Sequence, residues 1–268
     1  MPIPHRSEES AHNDFLRYQI RMEKALADLH KNTAESIEKI IRRNTNNAGS
    51  VDKSKIKIIV DNYMAKELKQ YRIDLMSQIR SGVGDSAIQG IRTVLGSVAP
   101  NRKVTSDKWV GISKSVRKKI LNFKGLDGIN LSDRVWKMTE DNTYNLKRII
   151  SSDILQGKSA DVVSRNIRQY LIQPETLRGK EKAEASPGRG VYKSAYKNAL
   201  RVSRTETNRA YVDGQKETTK TMGYRMQFQT AGGNVCGICT SFENKIFEPD
   251  DFPAPVHPNC LCFALTVR

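Results

Sequence analysis

Long apolar runs are missing from this chain of 268 residues. No stretch of eighteen apolar residues occurs, so no membrane span is expected. The opening Met1-Pro2-Ile3-Pro4-His5-Arg6 has no apolar segment behind it. It is therefore not read as a secretory signal, and a cytoplasmic protein is the plain expectation. Hydrophobic residues make up only 38% of the chain and mean hydropathy is −0.58. That is polar for a compact globule of this size, and it suits extended helices or a protein buried in an assembly. Histidine is scarce, and only His257 lies in the C-terminal half. A nuclease would lack its histidine constellation. No H-E-x-x-H helix is present, and no H-x-E precedes a P-C-x-x-C as zinc deaminases require. Gly157-Lys158-Ser159 ends like a phosphate-binding loop, but Ser152 stands where its first glycine belongs. The segment also joins two expected helices rather than a strand and a helix, so that reading is set aside.

Cysteine is scarce but concentrated. All four lie near the C-terminus: Cys236 and Cys239 form a C-x₂-C pair, and seventeen residues later comes His257-Pro258-Asn259-Cys260-Leu261-Cys262. Three readings compete: a structural zinc site, two disulfides, or buried free thiols. Zinc takes four Cys or His ligands in a tetrahedron, and a C-x₂-C turn supplies two. Gly237 inside that turn is expected to let the backbone curl around the ion. On an extended segment Cys260 and Cys262 point to one face. His257 precedes them between Pro255 and Pro258, in a stiff loop. Cys236, Cys239, His257, Cys260 and Cys262 are thus five candidates for four places. No oxidising compartment is implied, and the spacing favours metal over disulfide. Four sulfur or imidazole ligands close a site and leave no position for a reacting water.

Acidic residues are outnumbered, 29 against 45 Lys and Arg, for a net charge of +16. From Tyr224 to Arg268 three basic residues face four acidic ones, so the excess belongs to the first 223 residues. A polyanion partner follows. The densest cluster, Lys114, Arg117, Lys118 and Lys119, suits sequence-independent phosphate contact. Trp109 is the one aromatic among these cations, so no base-stacking platform is indicated there.

Apolar periodicity predicts a helix over 8–43, a second over 52–80, a break at Ser81-Gly82-Val83-Gly84, and a third helix over 85–98. Gly90 and Gly96 in that third segment point to close helix approach or to a weak helix. A basic loop at Asn101-Arg102-Lys103 precedes a helix over 107–122, capped by Thr105 or Ser106. Ser132 is expected to cap a helix over 133–156, Gly157 to stop it, and Ser159 to cap the next, over 160–171. Pro174, Gly179, Pro187, Gly188 and Gly190 mark a linker. A long helix over 191–222 carries Arg201, Arg204, Glu206 and Arg209. These brace the cysteine module or face nucleic acid; bracing comes first, because a small metal module has little core of its own. Alternation predicts strands at 224–229, at Ile246-Phe247 after a turn, and from Leu261 to the C-terminus.

From residue 199 onward the chain resembles the phage Mu F-like (head morphogenesis, minor head protein) family. The resemblance rests on Ala199-Leu200-Arg201-Val202-Ser203-Arg204-Thr205-Glu206-Thr207-Asn208-Arg209-Ala210-Tyr211, on the C-x₂-C pair, and on His257-Pro258-Asn259-Cys260-Leu261-Cys262. That family ends in an R-T-E-x-N-R-A helix, a C-x₂-C knuckle and an H-P-N-C-x-C strand. It usually carries a basic residue between the last two cysteines, where Leu261 stands here. Leu131-Ser132-Asp133-Arg134-Val135-Trp136 and Gly157-Lys158-Ser159 are similar as well.

The expected architecture is mainly α: an extended basic helical body over 1–171, a linker over 172–190, and a small α+β zinc-stabilised module with its R-T-E helix over 191–268. The resemblance implies a minor capsid protein of the virion, in the host cytoplasm during assembly. Its implied partners are the portal protein, the capsid and scaffold, and double-stranded DNA bound without sequence preference. A part in genome packaging or ejection is implied, and no catalytic turnover. The alternatives are a phage-borne nuclease or ADP-ribosyltransferase toxin, and a free zinc-containing DNA-binding protein. The toxin is disfavoured because the chain ends just after the cysteine strand, the nuclease because it needs a histidine or carboxylate constellation and only His257 lies in the C-terminal half, and the free DNA-binding protein because the cysteine module is slightly acidic.

Overall fold

A computed structural model describes residues 7–98, 107–124, 128–172, 194–231 and 236–268. The N-terminal hexapeptide, the basic loop at 101–103 with its proposed caps Thr105 and Ser106, residues 173–190 of the linker, the first three residues of the helix expected over 191–222 and the 232–235 stretch lie outside the described residues.

The first helix, α1 (Glu8–Arg43), starts at Ser7, whose hydroxyl accepts from the Ser10 amide, and has Glu8 and Glu9 in its first turn and Arg42 and Arg43 in its last. Charges so placed oppose the helix dipole at both ends. A 3₁₀ turn (Lys53–Lys55) and a π-turn (Ile58–Tyr63) lead into α2 (Met64–Val98). The break expected at Ser81–Gly84 is absent: α2 runs through it. Gly82 makes room for a neighbour rather than ending the helix. A Cβ on Gly82 would stand 2.5 Å from the Met22 methyl group.

Next come α3 (Asp107–Asn122), α4 (Leu131–Leu155) and α5 (Ala160–Leu171). Asn130, not Ser132, caps α4: its side chain accepts from the Asp133 amide. Ser132 lies one residue inside the helix, where its hydroxyl accepts from Arg80 instead. Gly157 (φ +71) follows α4 as expected, and Ser159 caps α5.

The long helix α6 (Ala195–Met222), capped by Ser194, crosses α2 at backbone contact. A Cβ on Gly90 would fall 1.9 Å from the Tyr211 carbonyl oxygen, and one on Gly214 would fall 2.4 Å from that of Ala87. Of the two readings of Gly90, close approach is the one observed.

Three strands complete the chain: β1 (Arg225–Gln229), β2 (Ile246–Phe247) and β3 (Phe263–Val267), with the one-turn helix α7 (Gly237–Thr240) between the first two. The sheet is antiparallel in the order β2-β1-β3, with Gln227 opposite Ile246 and Leu265. The architecture is mainly α with a small terminal α+β unit, as expected. Among the described residues no helix is long and apolar enough to cross a membrane.

Two large apolar clusters and a small one around Ile91, Leu95 and Trp109 fill the helical body. The third large cluster lies under the sheet and joins Phe15 of α1 and Tyr211 and Val212 of α6 to Met226, Phe228, Phe252 and Phe263. Three of the four cysteines belong to that same buried cluster.

Candidate metal centre

The C-x₂-C pair spans the start of α7. Cys236 is its N-cap, and its sulfur accepts from the Cys239 amide at 3.4 Å. Gly237 has no left-handed φ, and a Cβ there would meet nothing within 4 Å among the described residues. The curl expected of this glycine is not used; the turn is an ordinary helical one that a larger residue can adopt.

The second half is a tight turn. Pro258 and Asn259 are its central residues, Asn259 takes φ +62, and the Cys260 amide donates to the His257 carbonyl at 3.1 Å. Proline first and a left-handed asparagine second is the pairing a type II turn needs. His257 Nδ1 donates to the Pro258 carbonyl at 2.8 Å. That leaves Nε2 with a free lone pair, as a metal-bound imidazole requires.

All five predicted ligands meet. His257 Nε2 lies 3.1 Å from Cys236 Sγ and 3.2 Å from Cys239 Sγ, and Cys239 Sγ lies 4.0 Å from Cys260 Sγ. They form two overlapping triads, Cys236–Cys239–His257 and Cys239–Cys260–Cys262, with Cys239 common to both. All four cysteines are free thiols, so the disulfide reading has no support. Tetrahedral bonds of about 2.3 Å to sulfur and 2.0–2.1 Å to nitrogen put ligand atoms about 3.5–3.8 Å apart. The observed spacings bracket that range, so the cluster can hold a metal ion.

The electrostatics divide the thiols. Burial pushes Cys239 up to about 12, with Cys260 adding to it. The hydrogen bond from the Cys262 thiol, aided by backbone amides, holds Cys260 below the usual thiol range, and Cys262 rises in turn. Burial also raises Cys236, but the Cys239 amide and the nearby imidazole outweigh it, and its net shift is downward. At His257 burial is outweighed by the Pro258 carbonyl and the cysteines, so the imidazole is raised.

One face of α6 holds the second half of this cluster in place. Thr205 Oγ1 accepts from the Asn259 amide at 3.0 Å, and Asn208 Nδ2 donates to the Cys262 carbonyl at 3.2 Å. Gln215 grips β3 with both amide atoms, donating to the Ala264 carbonyl at 3.0 Å and accepting from its amide at 3.4 Å. Sequence reasoning gave none of these three a contact role, although Thr205 and Asn208 stand in the R-T-E-x-N-R-A stretch. A signal was present: Asn208 and Gln215 are seven apart and so share a helix face, among small buried residues such as Ala210 and Gly214.

No known protein family, curated protein or solved structure matches this chain.

The other predicted contacts separate into two groups. Glu206 is buried and pairs with Arg209 at 3.6 Å. Arg209 also lies 4.0 Å from the centroid of the Phe123 ring, and Arg204 pairs with Glu23 of α1. Arg201 and Glu206 line a cavity of about 330 Å³ between α4 and α6, beneath Pro258. These groups make internal contacts. Lys114, Arg117, Lys118 and Lys119 instead stand exposed on α3, with Lys119 paired to Glu217 at 3.3 Å.

Proposed function

We propose that the chain is a phage minor head protein, a structural component at the portal vertex near packaged DNA, with a zinc ion closing its terminal module. The observation that carries this reading is the coupling of the two motifs. The R-T-E-x-N-R-A helix grips the H-P-N-C-x-C turn through the side chains of Thr205 and Asn208.

Zinc fits the donor set. Thiolate and imidazole ligands select a borderline-soft ion, and tetrahedral sulfur–nitrogen sites are characteristic of zinc. Cys236, Cys239 and His257 would hold it from one side, with Cys260 or Cys262 as the fourth ligand. Four protein ligands leave no open position, so the ion's role is to fix the fold. The exposed cations of α3 supply a duplex-facing surface of the sequence-independent kind.

Mass spectrometry of particles from a host carrying this gene tests the reading. The chain should be found at a few copies per portal. Its absence from particles that contain portal and coat protein would contradict it.

A further inference from the structure

A groove of about 480 Å³ opens between α2 and α4, on helix faces that take no part in the metal cluster. Its walls carry three cations, Lys69, Arg72 and Lys147, against one carboxylate, Glu140. Lys147 also pairs with Asp61 at 3.5 Å. Aromatic rings stand exposed beside these cations. Tyr144, on the groove wall, is 68% exposed, and Trp136, two turns earlier on α4, is 48% exposed. The Arg72 guanidinium lies 3.7 Å from the centroid of the Trp136 ring. Eight residues of helix separate the two rings by about 12 Å along the axis.

Aromatic faces flanked by cations are what single-stranded nucleic acid uses: bases stack on the rings while phosphates meet Lys and Arg. A groove for a partner helix needs an apolar floor. Here the aliphatic side chains among the lining residues are Ala65 and Leu68, and Leu68 is already buried. We propose that the α2–α4 groove binds single-stranded nucleic acid, with bases on Trp136 and Tyr144 and phosphates on Lys69, Arg72 and Lys147. This site is separate from the duplex-facing surface of α3, and it does not depend on the metal.

The protein carries its own probe. Trp109 is 5% exposed and Trp136 is 48% exposed, so quenching of tryptophan fluorescence by a stacked base reads Trp136. The full chain is titrated with an oligothymidylate of about 20 nucleotides, enough to fill one site. Expected are quenching and an affinity that falls as salt rises. Tyr144→Ala and Arg72→Gln should each weaken binding about tenfold, while Trp136→Phe binds but loses the signal. The exposure of Tyr144 makes its variant a safe control for folding. No quenching at low salt would overturn the proposal. So would equal affinity for single strand and duplex that Tyr144→Ala leaves unchanged. A groove that binds an acidic helical peptide but not the oligonucleotide would belong to a protein partner, and that result also overturns it.

Discussion

Gln215 shows how a single side chain fastens the terminal module. Its amide satisfies both the N–H and the carbonyl of Ala264, in the body of β3. Leucine at this position would fill similar space and leave both backbone groups unpaired. An unpaired buried group costs about 1–3 kcal/mol, so Gln215→Leu should lose about 3 kcal/mol in denaturant unfolding. A loss under about 1 kcal/mol would mean the amide is not gripping the strand. Gly237 is expected to behave in the opposite way. With no positive φ and nothing within 4 Å of its Cβ position among the described residues, Gly237→Ala should leave stability unchanged or raise it by about 0.4–1 kcal/mol. At this scale the sequence was partly legible. Five ligands could be named because soft donors at knuckle spacing have few other uses. The contacts of Thr205, Asn208 and Gln215 were not read, because their partners lie about fifty residues further along the chain. His12 and His30 were also missed, since a lone histidine in an apolar stripe carries no signal of its own.

Among the elements, most helix ends were legible from a cap or a period, and the errors fell on the cap of α4, which is Asn130 rather than Ser132, and on the glycines of α2. Glycine reads as a breaker when only local propensity is weighed. Here tertiary packing decides: a Cβ on Gly82 would meet Met22 of α1, and at Gly90, where close approach was one of the two expectations, α6 leaves no space for a Cβ. Gly90→Ala should therefore cost well over the ordinary helix propensity, which favours alanine by about 1 kcal/mol. A backbone carbonyl 1.9 Å from the new carbon cannot rotate away as a side chain can. A loss of at least about 2 kcal/mol is expected, in the range of overpacked cores. Gly84→Ala is the control, because its Cβ would meet only the Arg117 side chain at 3.4 Å. Equal melting temperatures for the two variants would refute the close crossing.

For the whole molecule, the first helix and the last strand are joined. The Glu8 carboxylate at the start of α1 accepts from the Thr266 amide and hydroxyl on β3 and from Ser97 of α2. One turn later the His12 ring stacks on Phe263, with ring centroids 3.8 Å apart, beside Tyr211 and Phe15. His30 is buried in the body, where Nδ1 donates to the Leu26 carbonyl and Nε2 accepts from the Tyr71 hydroxyl, with Tyr196 at its edge. Burial lowers both imidazoles to about 4. Their neutral burial is undisturbed above pH 6.5. As the pH falls from there toward 4, the unfolded chain takes up protons that the folded one refuses, and stability is lost. Each histidine accounts for about 2 kcal/mol by pH 5. Glu8, raised by burial against its hydrogen bonds, acts in the opposite sense, since its protonation is easier in the folded state. The net loss between pH 7 and pH 5 should be about 2–4 kcal/mol by denaturant unfolding, and His30→Gln should flatten the curve. A flat profile in the parent protein would contradict the buried neutral rings.

The same third core joins the cysteines to α1 and α6, so the metal and the fold should stand or fall together. Elemental analysis of the purified protein, beside Cys236→Ser and Cys260→Ser, tests this most directly. The account predicts one zinc per chain in the parent protein. In Cys236→Ser the zinc should be lost, together with cooperative unfolding of the terminal sheet, and Cys260→Ser should lose it either alone or, if Cys262 completes the site, once Cys262→Ser is added. Protein prepared with reductant and without chelator that contains no zinc, yet unfolds as one cooperative unit, would contradict it.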